Sequence, residues 1–554
     1  MNDSPTCPAW KIWANPIIRR YCRSRLRPQG LALWLILTLI LSGFVFFISR
    51  TVSMYRGGML PVDAERVPLI PLLIIQAFIL FFMGVGQAVS GIITEADEGV
   101  MDYQRLQPMS PLAKVVGFWL GLPVREWLLF ASTLPFTAWG LYHGQVPLRA
   151  WASIYGVLIT TALMYHVTAL AAGMVIKNRR SATLVSMFVI AMLYTGMPQI
   201  AQAGLIFFEY LTVRPVVMEN WHFFMPRDAG GVAKVLRELD PQVKFFGLEF
   251  DSIVFTLVCQ GGIMLTFGTM VWRRWCRAES HLLGKAWAVA LFIWVQVLLL
   301  GNALPLIEPG SIFPTRAFMS RFQWGKLLDP TLREAVIMIG LYGIISLLIM
   351  LVLVFIITPA LDVQWRGLRQ AKKLSLPRVP RLRDAASSLP FVLMMITTAA
   401  VSWNIFAQAI MDSKWFPGHS LPAYAPLVFL LVLANPVLAY YAVLEGWGGR
   451  RLFLCVLFIG VVPVLIGTIV GSANNGLLPL ATWLNAISPA YGPIAAPTVM
   501  VPGTDLPLPV KRAVPLSFAF FQGITSLLTV WLLLRLRAIH RARRASVEQD
   551  GGSK

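Results

Sequence analysis

Charge is scarce in this chain of 554 residues: 13% are charged and 57% apolar, which excludes a string of soluble domains. Acid is scarcer still, with 26 Asp and Glu against 47 Lys and Arg. The few cysteines are Cys7, Cys22, Cys259, Cys276 and Cys455. On the topology below none reaches the outer side, so no structural disulfide is expected. No Cys/His spacing suits a metal ion. A phosphate-cradling G-x-x-x-x-G-K-[ST] loop is also missing: Gly284-Lys285 and Gly325-Lys326 run into Ala286 and Leu327. The net charge of +21 would fit nucleic acid, but the basic residues are scattered over short loops and better match an anionic inner leaflet.

What the chain has in abundance is long apolar runs. Twelve fall near 30–49, 69–92, 115–140, 151–175, 182–208, 252–272, 286–305, 334–358, 388–410, 421–444, 452–471 and 515–534. Each is about 20 residues or longer, enough to cross roughly 30 Å of hydrocarbon. With the N-terminus inside, 30 of the 47 Lys and Arg fall in cytoplasmic segments, 16 in external ones, and Arg125 lies within a span. That bias orients the chain with both termini cytoplasmic. The external gaps run medium, short, long in each set of six spans, and the cytoplasmic gaps long, then short. We therefore expect an all-α polytopic membrane protein of about twelve transmembrane helices in two parallel six-helix halves. Its parts are 1–29 (a cytoplasmic interfacial helix), 30–277 and 278–538 (the halves), and 539–554 (a basic tail). The location expected is the bacterial inner membrane.

Within 8–26, Trp10, Trp13, Ile17, Ile18 and Tyr21 recur at helical spacing opposite Arg19 and Arg23, which suits a helix lying in the inner interface, kinked at Pro16. The long external gap 209–251 is expected to hold short helices. In 472–514, Leu478 to Ile487 reads as a re-entrant or interfacial helix and the Pro-rich remainder as an extended loop.

The most informative local stretch is 94–114, TEADEGVMDYQRLQPMSPLAK. Glu95, Asp97 and Glu98 read as an acidic first turn. Gly99 permits a tight turn, and Ser110, between Pro108 and Pro111, can cap the helix that follows. The result is a rigid polar elbow suited to docking another protein. The run of acids, Gly99, Arg105-Leu106, Pro108-Met109-Ser110-Pro111 and Lys114-Val115-Val116-Gly117 resembles the loop between the second and third spans of type 2 permeases of ATP-binding-cassette exporters. Asn485-Ala486-Ile487-Ser488-Pro489 is similar to the family's usual sequence before its last span.

That resemblance implies a coupling helix fitting a groove on a separate ATPase subunit, with Glu95, Asp97, Glu98, Gly99, Arg105, Pro108, Ser110 and Pro111 as its residues. It implies two such ATPase subunits as partners, which use ATP and Mg, and no cofactor bound by this chain. The second-half loop departs from the pattern. It has no acid-Gly pair but carries Arg366, Arg369, Lys372 and Lys373, so it either docks through charge or does not couple.

Arg125 and Glu126 follow Pro123 inside the third apolar stretch. As sequence neighbours they point in different directions on a helix and do not read as a ready-made pair. A mid-bilayer charge costs about 2.5–3.5 kcal/mol, which would mark Arg125 and Glu126 as functional intramembrane residues; the favoured reading instead puts 112–124 in the coupling element and lets 127–143 alone cross, leaving both near the inner interface. His166 in the fourth span reads as a packed side chain before a substrate ligand.

Two other classes compete with a non-enzymatic exporter subunit. A secondary transporter of the major-facilitator kind also has twelve spans, but the central loop 273–285 is short, and only Gly446 to Arg451 is similar to that family's loop motif. A membrane-embedded lipid-processing enzyme would need converging acids or histidines, and Glu209, Glu219, His222, Glu308 and Asp329 show no site spacing. The exported substrate is not legible.

Overall fold

A computed structural model describes residues 11–55, 57–176, 178–202, 205–225, 242–278, 280–307, 331–376, 379–501, 503 and 507–549. Among these, ten helices are long and apolar enough to cross a membrane, or eleven if one bent pair counts as a single span. The chain divides into two compact units. The first is Met1–Ala201, Phe207–Lys244 and Leu248–Leu282; the second is Leu283–Lys554 with Gln202–Ile206 and Phe245–Gly247.

The first unit opens with a short helix, α1 (Pro16–Arg25). It continues through α2 (Pro28–Tyr55) and the 37-residue α3 (Pro61–Asp97). Then come α4 (Val100–Leu106), α5 (Pro111–Gly121), α6 (Val124–His143) and α7 (Leu148–Gly173). The last three are α8 (Arg179–Thr195), α9 (Arg214–Phe224) and α10 (Ser252–Cys276). α5 and α6 meet at an angle of 49° and form the bent pair. α8 holds the fifth apolar stretch but has only 17 residues. At 1.5 Å per residue it covers about 26 Å, short of the roughly 30 Å core.

The second unit contains α11 (Lys285–Ile307), α12 (Leu332–Ile357), α13 (Leu361–Lys373) and α14 (Leu389–Met411). It ends with α15 (Ala425–Trp447), α16 (Arg451–Ala473), α17 (Leu478–Ala486), α18 (Tyr491–Met500) and the 42-residue α19 (Leu508–Gln549).

Each unit repeats one internal neighbour map. In the first, α2 packs on α6, α3 on α7 and α7 on α10. In the second, α11 packs on α14, α12 on α15 and α15 on α19. Buried glutamines join helices inside both. Gln76 donates to Thr133 (2.8 Å) and Thr137 (2.9 Å) and accepts from Tyr155 (2.7 Å). Gln296 donates to Ser346 (3.0 Å) and accepts from Tyr342 and Ser402, both at 2.7 Å. In an apolar surround such groups must be satisfied by one another, and they tie helix to helix.

As expected, the regular secondary structure of the described residues is helical except for one hairpin, formed by Gln242–Phe245 and Leu248–Asp251. Its turn residues Phe246 and Gly247 have φ of 49° and 77°, the positive-φ pair that matches strand twist. The Pro-rich stretch is not extended throughout, because 491–500 is helical; Pro493 sits in the first turn, where no N–H is required, and only Pro497 lies inside. Nor does Pro16 kink a helix. It starts α1 at the first position, behind Asn15, whose side chain accepts from Ile17 N (3.0 Å).

Candidate functional site

The segment 94–114 forms an elbow built from backbone upward. α3 runs through the acids to Asp97, and Gly99 then takes a left-handed φ of 70°, which ends α3 and begins α4. The acids therefore occupy the last turn of α3, not the first turn of a helix as expected. That end of a helix carries partial negative charge, so acids there cost about 0.3–1 kcal/mol each. Glu95 is compensated internally, whereas Asp97 and Glu98 are exposed. Ser110 caps α5 as expected, its hydroxyl accepting from Ala113 N (3.1 Å), with Pro111 at the first helical position. Ser110→Ala should lower stability by about 1 kcal/mol, read as a drop in Tm of the detergent-purified chain; an unchanged Tm would remove the cap from this account.

The elbow is braced from two sides. Arg105 bonds Asp102 one turn back, donates to the Arg274 carbonyl (3.4 Å) at the end of α10, and lies 5.8 Å from the Trp275 ring centroid. Buried Lys114 donates to the carbonyls of Arg105 (3.3 Å) and Gln107 (3.2 Å), placing a cation at the C-terminal end of α4. What remains outward is Asp97, Glu98, Asp102 and Pro108, together with Tyr103 (66% exposed) and Leu106 (85% exposed). Tyr103 and Leu106 are apolar anchors the sequence reading passed over; their three-residue spacing, which puts both on one face of α4, was the available signal.

The helix expected to lie in the interface also packs on the protein. Ile17, Ile18 and Tyr21 do not face a membrane surface; they are buried. They pack on α5 where Gly117 and Gly121 allow close approach: a Cβ at 117 would lie 2.9 Å from Ile17 Cβ, and one at 121 would lie 2.8 Å from Tyr21 Cδ2. The small-x-x-x-small pattern Gly117…Gly121 was legible in sequence and marks such contacts. Asn15 donates to the Ala113 carbonyl (2.7 Å), and Arg25 to Gln87 (2.5 Å). Glu95 receives Arg20 and the Tyr21 hydroxyl (2.9 Å). Burial pushes the Tyr21 phenol up to about 12, against the lowering effect of Arg20, so it stays neutral and donates. Glu95 thus holds α1 to the elbow and is not part of its outward face. Trp13 remains 84% exposed.

In the second unit, α13 carries Arg366, Arg369, Lys372 and Lys373 on its exposed side. Its inner side is fixed by Arg543 of α19, which donates to Gln364 (2.6 Å), and by Gly367 against Ala385.

Arg125 and Glu126 do pair, contrary to expectation: the guanidinium donates to the carboxylate at 2.7 and 3.0 Å. Both lie in the first turn of α6, just past the break at Pro123, where the long arginine side chain folds back onto its neighbour. The guanidinium also sits 5.4 Å from the Trp34 ring centroid. His166 is buried, and its Nε2 donates to the Leu80 carbonyl (2.9 Å) in a π-helical turn, Phe78–Met83, while Gly84 leaves room for the ring. That is a packing role.

Among the described residues, the acids and histidine weighed for an enzyme site do not converge. Glu209 pairs with Arg214 (3.1 Å), Glu219 accepts from Ser252, and His222 donates to the Glu219 carbonyl (3.1 Å). Glu308 and Asp329 lie outside the described residues. No protein-family profile, curated protein or solved structure matches this chain.

Proposed function

We propose that this chain is the transmembrane permease subunit of an ATP-binding-cassette exporter, a protein of the inner membrane powered by a separate ATPase subunit. In this reading the helical units cross the bilayer twelve times with both termini in the cytoplasm, as the Lys and Arg bias favours. The observation that carries it is the elbow 94–114. A short helix is held rigidly between two bends by Arg105 and Lys114, and presents Asp97, Glu98, Asp102, Tyr103 and Leu106 outward. Acids retained in an unfavourable helix end, beside exposed aromatic and aliphatic anchors, break local rules in the way a docking surface does.

An ATPase subunit docking there would push on α4. Through Gly99 the push reaches α3, and through Ser110 it reaches α5. The contacts of Glu95, Asn15 and Gly117 carry it to α1. Three helices then move with the elbow as one body, which is the mechanical input rigid-body alternating access needs.

Gentle detergent extraction followed by mass spectrometry tests this reading. A stoichiometric ATP-binding-cassette ATPase is the expected companion; the chain alone, with ATP turnover at background, refutes the proposal. With the complex in hand, Glu98→Lys should reduce ATPase capture by at least about tenfold, a loss of roughly 1.4 kcal/mol at the interface, while insertion and Tm stay near wild type. Equal capture by the variant would remove 94–114 from the docking site.

A further inference from the structure

The second unit's basic helix invites a different occupant from the acidic elbow. α13 begins at Leu361, just past the end of the spanning helix α12 at Ile357, and the chain re-enters at α14 from Leu389. Ser388 Oγ donates to the Ile357 carbonyl (2.7 Å), so the excursion leaves and returns at one point, at the end of two spanning helices. It is rigidly seated. Lys285 Nζ donates to the carbonyls of Arg383 (2.9 Å) and Ala386 (2.5 Å), Arg543 holds Gln364, and Gly367 lies close under Ala385. The backbone is therefore fixed from its inner side, and the outer side displays Arg366, Arg369, Lys372, Lys373, Arg381 and Arg383.

Among those cations stand Leu374, Leu376 and Leu382, exposed by 52, 39 and 71%. Acid is nearly lacking: Asp362 and Asp384 are the acidic residues among the described positions of 361–388. Leucines that a water-facing loop would hide, interleaved with Lys and Arg beside the ends of spanning helices, are the composition of a surface that dips apolar groups below the headgroups and neutralises phosphates above them. We infer that 361–376 and 379–383 form an anionic-phospholipid-binding element, with Arg369, Lys373, Arg381 and Arg383 on the headgroups and Leu374, Leu376 and Leu382 in the acyl boundary. In the exporter reading, the chain then carries one protein-docking elbow, in its first unit, beside this lipid-docking element in its second. This inference goes beyond the exporter reading and does not rest on it.

The test uses the full chain in nanodiscs, with its native cysteines replaced by alanine and Leu382→Cys carrying an environment-sensitive fluorophore. In phosphatidylcholine–phosphatidylglycerol discs, doxyl-labelled lipid should quench the label and aqueous iodide should not. Phosphatidylcholine-only discs, or the variant R369E/K373E/R381E/R383E, should show at least about fivefold less lipid quenching. If the variant misfolds, raising salt on the parent protein replaces it, and lipid quenching should fall as screening grows. Iodide quenching that is equal in every disc overturns the inference. So does shielding that appears only when an ATPase subunit is added, which would make the surface a protein-docking one.

Discussion

Reversing Arg105 to glutamate should detach the elbow from α10 and, in the exporter reading, sever the chain from its ATPase. The guanidinium makes three contacts at once, to Asp102, the Arg274 carbonyl and the Trp275 ring. A glutamate would face Asp102 three residues back on the same helix and the electronegative end of α10, turning those attractions into repulsion, offset in part by the nearby cations of Lys114 and Arg274, which Arg105 now repels. The bond to the Arg274 carbonyl is long at 3.4 Å, but its loss together with that of the Asp102 and Trp275 contacts is worth about 1.5–3 kcal/mol. If that holds α4 in its docking pose, ATPase affinity should fall by on the order of tenfold to a hundredfold. The measurement is binding of the ATPase to the purified chain, with hydrogen exchange across 100–106 alongside. Arg105→Lys keeps the charge but not the planar fork and should recover part of the affinity. Wild-type exchange together with wild-type affinity in the glutamate variant would mean that Arg105 braces nothing.

The second large effect is expected at Gly121. A leucine there cannot fit, because its Cβ alone would lie 2.8 Å from Tyr21 Cδ2 and 3.5 Å from Ile18 Cα. The clashing atom is a ring carbon of Tyr21, whose hydroxyl is tied to Glu95, and the backbone at Ile18 is already in van der Waals contact with that Cβ, so the rest of the leucine overpacks the seam at a cost of about 1–3 kcal/mol. Displacing α1 also strands its polar contacts, since Asn15 leaves the Ala113 carbonyl and Tyr21 leaves Glu95. Limited trypsin digestion reads the outcome. Arg19, Arg20, Arg23 and Arg25 should be cut much faster in Gly121→Leu than in wild type, with Gly121→Ala between them. Equal rates in all three would show that α1 is held by something other than this contact. Under the proposed function, the leucine variant should also keep ATPase binding while losing transport, because the elbow survives but its link to α1 does not.

Much of the site was legible because its determinants are local. Gly99 at a positive φ, Ser110 as cap and Pro111 at the first helical position depend on residues within four of one another, and the sequence reading named all three. The acids were misplaced by one helix, since nothing nearby says whether α3 stops before or after Glu95; the first strong stop signal is Gly99 itself. Arg125 and Glu126 were set apart by a geometric rule that governs regular helix interiors. The break at Pro123 and the length of the arginine side chain made the rule inapplicable.

By itself the sequence determined that this is a helical membrane protein, where its apolar helices run, and which turns punctuate them, because hydropathy and turn chemistry act over a few residues. Only the tertiary structure decided that the apolar face of α1 meets Gly117 and Gly121 and not lipid, that Glu95 is bound by Arg20 and Tyr21, and that Lys285 and Arg543 seat the basic loop. Those partners lie far apart along the chain. An amphipathic helix buries its apolar face against whichever surface arrives first and fits best, and no periodicity in its own residues says which surface that is.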